Sequence, residues 1–214
     1  MTIIICLCLH RNAPYNLTNL LSKIDVGENG ENAVIELLKS CGDLFEKFLD
    51  RESLQQHSLI HTALLKYLEV LVVYKDKYEK VVILMKEFVE TMREVLPFFC
   101  HTKAGSEAAN VVIWLGSAKD RKVILKAFAK DDKVVEMARG KYASVVLLCL
   151  LDSVDDTKNL SNSIVLPLVP IFEDCAFQKI SDDSHARKVF LYILGGREAL
   201  HKNNMLVQVT GEWE

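Results

Sequence analysis

Proline is scarce in this sequence, with four in 214 residues. Because proline lacks an N–H and clashes with the preceding turn of a helix, its scarcity leaves long stretches free to be helical. Pro97, Pro167 and Pro170 each fall at or within a stretch of helical pattern, and the helices are expected to end or bend there. Long apolar runs are also missing. The longest, such as VVLLCLL, reach about seven residues against the ~20 that span a bilayer, so no transmembrane helix and no membrane partner are expected. The opening MTIIICLCLH has no Lys or Arg ahead of its apolar stretch and no clear small-residue cleavage site. It reads as a core segment, the cut edge of something longer, and not as a signal peptide. The six cysteines, Cys6, Cys8, Cys41, Cys100, Cys149 and Cys175, lack CxxC spacing and lie mostly among apolar neighbours, as buried thiols of a reducing compartment do.

Motifs of catalysis and cofactor binding are absent as well. There is no GxxxxGK[ST] loop, no GxGxxG and no GxSxG. His57 and His61 stand four apart, but no Glu follows His57 as a zinc-protease helix requires, and no cysteine pair lies nearby. Each reads as a satisfied surface or groove histidine. No enzyme, no metal site and no cofactor are expected. An overall positive charge is lacking too: 26 Lys and Arg against 29 Asp and Glu give −3, so the chain is no polycation that would hold nucleic acid by bulk attraction.

What the sequence does contain is helical period. With 50% hydrophobic and 26% charged residues, 214 residues suffice for one ordinary domain or one array of repeats. Between Glu31 and Leu49, Val34, Leu37, Leu38, Cys41, Leu44, Phe45 and Phe48 recur at three- and four-residue intervals. Leu54 to Tyr74 and Tyr78 to Leu96 repeat the pattern. Ser117 to Asp120 matches a capping box, which places a helix start near Ala118. Further helices are expected over Lys133 to Ala138 and Ala143 to Leu151, and in a long segment centred on IVLPLVPIF. ARKVFLYIL forms another, closed by Gly195 and Gly196. The adjacent pairs Asp131 and Asp132, and Asp155 and Asp156, suit the positive ends of helix dipoles. Trp114 belongs to an apolar helical face, and Trp213 lies in an exposed tail.

Charge is uneven along this all-α chain. Residues 1–100 carry −3, residues 101–141 carry +4 and residues 142–214 carry −4. The middle excess comes from Lys103, Lys119, Arg121, Lys122, Lys126, Lys130, Lys133, Arg139 and Lys141. Four stretches also echo one another: HSLIHTALLKYL, TKAGSEAANVVIWL, GKYASVVLLCLL and DSHARKVFLYIL. Aligning His61, Ser106, Ser144 and Arg187 gives spacings of 45, 38 and 43 residues, within the range of helical repeats.

The strings HTKAGSEAANVVIWLGSAKDRKVILKAF, KYASVVLLCLLDSVDDTKN and ARKVFLYILGGRE, with a weaker match through QQHSLIHTALLKYL, resemble the Pumilio-homology repeat proteins in their divergent, nucleolar, Puf-A-like branch. The resemblance covers residues 53–199. It leaves residues 1–52 as an N-terminal helical segment or divergent repeat and residues 200–214 as a C-terminal tail. It implies a right-handed solenoid of three-helix repeats, the C-terminal arm of a longer protein. It further implies RNA binding with little sequence preference, in the nucleus and nucleolus. The implied roles are large-subunit ribosome biogenesis and pre-ribosomal RNA processing, with translational regulation in some members and pre-ribosomal proteins as further partners.

Pumilio repeats of the base-reading kind use two edge-contacting side chains and a stacking residue on the middle helix of each repeat. In the register above these places hold His61, Thr62 and Leu65; Ser106, Glu107 and Asn110; Ser144, Val145 and Leu148; and Arg187, Lys188 and Leu191. Leucine cannot hydrogen-bond a base edge, and neither Val145 nor Glu107 offers a stacking platform, so no base-by-base code is expected. Contact with the phosphate backbone remains. The candidate residues are Lys119, Arg121, Lys122, Lys126, Arg187, Lys188 and Arg197, with His61 and Ser106 at groove positions. Lys119 and Lys122 are three apart, and Lys122 and Lys126 four, so all three share one helix face. The sequence departs from the family pattern at Glu107, where an arginine is common, and at Ser184, His185 and Ala186, where Lys, Tyr and Gly are commoner. Those departures and the acidic total keep a second reading open, a helical-repeat scaffold that binds protein.

Overall fold

The structure, a computed structural model, describes residues 16–27, 29–130, 133–175 and 184–199. Among these, every regular element is helical, so the fold is all-α. Chain contacts divide it into two compact units, Met1–Met92 and Arg93–Glu214.

The first unit contains α1 (Leu17–Ile24), α2 (Gly30–Leu49), the single turn α3 (Glu52–Gln55), α4 (Ser58–Lys75) and α5 (Glu79–Met92). Asn16 opens α1 by accepting the Asn19 N–H at 2.7 Å, which satisfies one of the donors that a helix start leaves unpaired. α2 packs on α5, and α4 packs on both α1 and α5. Their shared core is aromatic. The Phe45, Tyr67 and Phe88 rings lie 5.0 to 6.3 Å apart, with Phe48 edge-on to Phe45. Tyr67 keeps its hydroxyl in this core by donating to the Leu38 carbonyl at 3.0 Å. Gly42 makes room for it: a Cβ there would stand 2.9 Å from the Tyr67 hydroxyl. Asp25, just past α1, accepts from Lys77 and Tyr78 of the α4–α5 turn, and these bonds hold its carboxyl below the usual range.

The expected helix over Leu54 to Tyr74 is two helices. Gln56 and His57 interrupt it, and His57 Nδ1 caps α4 by accepting the Leu59 N–H at 3.4 Å. No Gly or Pro marks that break. α5 stops at Met92, short of the expected Leu96, and Pro97 lies instead at the start of a 3₁₀ turn, Leu96–Phe98.

After that turn the second unit runs through α6 (Lys103–Leu115), α7 (Ala118–Phe128), α8 (Lys133–Arg139), α9 (Ala143–Ser153) and the single turn α10 (Thr157–Leu160). A π-helical turn, Ser161–Val165, leads into α11 (Leu166–Cys175); α12 (Ser184–Gly195) and a 3₁₀ turn, Gly196–Ala199, close the described chain. Ser117 forms the expected capping box, its Oγ accepting from Asp120 N while the Asp120 carboxylate accepts from Ser117 N at 3.0 Å. Gly196 takes a positive φ of 60°, as the break after α12 requires. Pro170, however, does not end its helix, because α11 runs through it. The ring of Pro167 faces the turn four residues back, around Ser163, and that turn is the π-helical one, where a wider winding relieves the clash that an α-helical turn would impose.

Cys41, Cys100 and Cys149 are free and buried, as expected. Burial pushes the Cys41 thiol up to about 11 and Cys149 to about 12. Cys6, Cys8, Cys175's side chain, Asp131, Asp132, Trp213 and the 200–214 tail lie outside what the structure describes. No helix of the described residues is long and apolar enough to cross a membrane.

Candidate nucleic-acid interface

The four echoing stretches open α4, α6, α9 and α12, with His61, Ser106, Ser144 and Arg187 in the first turn or just after it. In the second unit α9 lies against both α6 and α12. Two polar ties show that these three helices are parallel. Arg121, on α7, donates through Nε to the Ile113 carbonyl at 3.2 Å and through Nη1 to the Ser153 carbonyl at 2.7 Å. Both acceptors belong to last turns, of α6 and α9, where carbonyls have no intrahelical partner. Asp152, at the end of α9, accepts from the Tyr192 hydroxyl at 2.6 Å and from Arg197 Nε and Nη2 at 2.7 and 2.8 Å. The end of α12 therefore sits beside the end of α9. Burial first, and the Asp152 hydrogen bond second, raise the Tyr192 pKa and keep its hydroxyl protonated.

These ties account for two of the predicted site residues. Arg121 joins the ends of two helices, and Arg197 is clasped by a carboxylate, so both guanidinium groups are engaged within the fold. The sequence holds no signal of either role, because the partners lie 32 and 45 residues away in the chain. His61 and Ser106 are buried: His61 Nε2 lies 2.7 Å from the Gln55 carbonyl, and Ser106 Oγ donates to the Lys103 carbonyl at 2.9 Å. Leu65, Asn110, Ser144 and Leu148 are buried too. Thr62, Glu107, Val145 and Lys188, at the expected stacking positions, are half-buried, and only α12 exposes its edge positions, Arg187 and Leu191.

Three of the remaining predicted cations gather on α7. Its inner side buries Ile124, Leu125 and Phe128, and its outer side exposes Lys119, Lys122 and Lys126 in one row. Lys119 and Lys126 have no acidic partner among the described residues. Lys122 Nζ lies 3.7 Å from Asp156 Oδ2, a loose pair in which Asp156 is also the cap of α10, accepting the Asn159 N–H at 3.1 Å. That backbone bond, with the Asn159 side chain and Lys122 behind it, lowers the Asp156 pKa. The row is steadied from below by Asp120, whose carboxylate accepts from Ser117 Oγ at 2.6 Å and from Arg93 Nη1 at 3.0 Å. Burial works to raise the Asp120 pKa, but the Ser117 and Arg93 bonds outweigh it and the carboxyl titrates below its usual range. Lys103, by contrast, is drawn to Glu107 at 3.8 Å. Among the described residues no group of three His, Cys, Asp or Glu side chains could hold a metal ion.

No family model matches the chain. It is 30% identical to Pumilio homolog 3 of Danio rerio over 173 residues, 81% of this chain and 25% of that protein. With Pumilio homolog 3 of Homo sapiens it shares 31% over 159 residues, 74% of this chain and 22% of the relative, so it spans about a quarter of the length of these relatives. The crystal structure of human Puf-A superposes with a TM-score of 0.71 at 27% identity, covering 96% of this chain and 37% of that one. The structure of human Puf-A in complex with DNA superposes with a TM-score of 0.67 at 22% identity, over 97% of this chain and 44% of the other. The parallel helices α6, α9 and α12, the repeat spacing and these likenesses have one explanation: the chain belongs to the divergent, Puf-A-like branch of the Pumilio-homology repeat family.

Proposed function

We propose that this chain binds RNA through its phosphate backbone, with little dependence on sequence, and serves in large-subunit ribosome biogenesis or pre-ribosomal RNA processing in the nucleolus. The observation that carries the reading is the exposed row Lys119, Lys122 and Lys126 on α7 in a member of this family. Ammonium groups spaced along one face meet successive phosphates without consulting the bases. Burial of the edge positions in α4, α6 and α9 supports the same view, since side chains inside the fold cannot read base edges. That a relative, human Puf-A, forms a complex with DNA is in keeping with it. Arg187 and Lys188 stand on another helix, α12, and the proposed phosphate row does not require them.

A second reading, a protein-binding scaffold, is favoured by one observation: Asp156 and Asp152 place acidic groups beside Lys122 of α7 and beside Arg197 at the end of α12. Titration of unrelated single-stranded and structured RNAs across salt separates the two. Three phosphate contacts predict log Kd rising with log salt at a slope of about 2, alike for every single-stranded sequence, and loss of most affinity in the Lys119→Ala, Lys122→Ala, Lys126→Ala variant. No binding at low salt, or binding that the triple variant retains, would reject the phosphate row.

A further inference from the structure

The repeat register exposes a surface that the nucleic-acid reading leaves unused. With Ser106, Ser144 and Arg187 equivalent, Leu191 and Leu194 of α12 correspond to Asn110 and Ile113 of α6 and to Leu148 and Leu151 of α9. Asn110, Ile113 and Leu148 are 2%, 0% and 0% exposed and Leu151 is half-buried. In α12 the same positions are 45% and 69% exposed. Ala186, Val189 and Tyr192 already bury the side of α12 that packs within the unit, so the leucines belong to its other side. Arg187 lies four residues before Leu191 and seven before Leu194, on that same stripe. Lys188 borders it. Neither cation has an acidic partner among the described residues.

We propose that the stripe Arg187, Leu191 and Leu194 of α12 docks an acidic amphipathic helix of a partner protein, lying alongside α12 as α9 lies alongside α6. The repeat geometry sets the occupant's shape. α6, α9 and α12 run parallel, so a further helix in the same array has its first turn beside Arg187 and Lys188 and its later turns beside the leucines. Charge complementarity sets its chemistry. Glu or Asp in its first turn faces the two cations and at the same time favours the positive end of its own dipole. Aliphatic residues four and seven places on cover Leu191 and Leu194. The proposal stands apart from RNA binding, which is assigned to α7.

The test uses the full chain and two synthetic helical peptides, each with a leucine stripe, one with glutamates and the other with lysines in its first turn. Fluorescence anisotropy is expected to show the glutamate peptide binding roughly tenfold or more tighter. The R187E, K188E double variant is expected to reverse that order, and L191S, L194S to weaken binding about tenfold or more while the melting temperature holds, because the leucines are exposed. Equal binding of the two peptides overturns the proposal, as does binding that survives L191S, L194S. A dimer in sedimentation that L191S, L194S dissolves assigns the stripe to a second copy. Peptide binding seen only after removal of residues 200–214 assigns it to the chain's own end. Displacement of the peptide by single-stranded RNA assigns it to nucleic acid. Each of these three results overturns the partner helix.

Discussion

The two units solve the same packing problem with different chemistry. Residues up to Met92 are held by rings: Phe45, Tyr67 and Phe88 meet in one cluster, and Gly42 is kept small so that the Tyr67 hydroxyl can reach the Leu38 carbonyl. From Arg93 onward the core is mostly aliphatic, with Ala108, Ala109, Val112, Val146, Leu147 and the rings of Phe99 and Phe128 fully buried, and polar ties fix the helix ends. Arg121 spans two C-termini, Asp152 clasps α12, and Asp120 joins Ser117 to Arg93. Rings resist changes of volume and ignore pH. Charged ties tolerate changes of volume around them but depend on ionisation and on the exact reach of a guanidinium.

The sharpest way to break this contrast is Phe45→Ala. Deleting a fully buried ring from the cluster is expected to cost about 3–5 kcal/mol, seen as a lower urea midpoint and lost amide protection in α2, α4 and α5. Protection lost equally in α6 and α9 would deny the two units separate cores. Next in size is Arg121→Met, which keeps an apolar stem but removes both donors. Leaving two helix-terminal carbonyls without their charged partner is expected to cost about 1.5–3 kcal/mol. The loss should concentrate in the last turns of α6 and α9 in hydrogen exchange. Unchanged protection there would mean that water replaces the guanidinium at little cost.

Much of this was legible in the sequence, and the illegible part has a common cause. Periodicity located α2, α8, α9 and α12 to within a few residues, and the Ser117 to Asp120 signature fixed the start of α7, because those signals are written within one or two helical turns. The repeat echo at His61, Ser106, Ser144 and Arg187 also survived, since it follows the spacing of whole helices. The break at Gln56 and His57 escaped because no Gly or Pro enforces it. Neither Pro167 nor Pro170 ends α11: the helix runs through Pro170, and at Pro167 the π-helical turn four residues back absorbs what a proline ring normally disrupts. Arg121 and Arg197 read as phosphate ligands since an arginine looks the same in sequence whether it faces solvent or a carbonyl 32 residues away. His61 and Ser106 read as groove residues because register gives the place along a helix but not how deeply its neighbours cover it.

Acid acts by a smaller effect on a lowered carboxyl in each unit, Asp25 in the first and Asp120 in the second. The Asp120 carboxyl titrates below its ordinary value of 3.8 in the folded chain. A carboxyl lowered by folding contributes stability that is complete above the ordinary value and is lost as pH falls through the lowered one. The second unit is therefore expected to lose stability on acidification below about pH 4, and Asp120→Asn is expected to flatten that part of its pH profile. Amide exchange in α6 and α7 at descending pH reads this directly. The same slope in wild type and variant would place the acid sensitivity elsewhere.

The smallest expected effect carries the functional argument. Lys119, Lys122 and Lys126 point away from the core, and Lys122 alone has a carboxylate near it, at 3.7 Å. Surface cations so placed contribute little to folding, so their triple replacement by Ala is expected to change stability by no more than about 0.5 kcal/mol. Asp156→Asn probes the remaining pair from the other side: asparagine caps a helix as well as aspartate does, so α10 keeps its start while Lys122 loses its competitor for phosphate. RNA affinity is then expected to rise slightly, by about twofold to threefold at low salt, as one screened surface pair is removed. A fall in the melting temperature of the triple variant beyond that small margin would show that the α7 row braces the fold. Its loss of RNA binding would then report a loss of structure, and the Asp156→Asn variant, which removes one negative charge and leaves all three lysines in place, would be the cleaner measure of what they do.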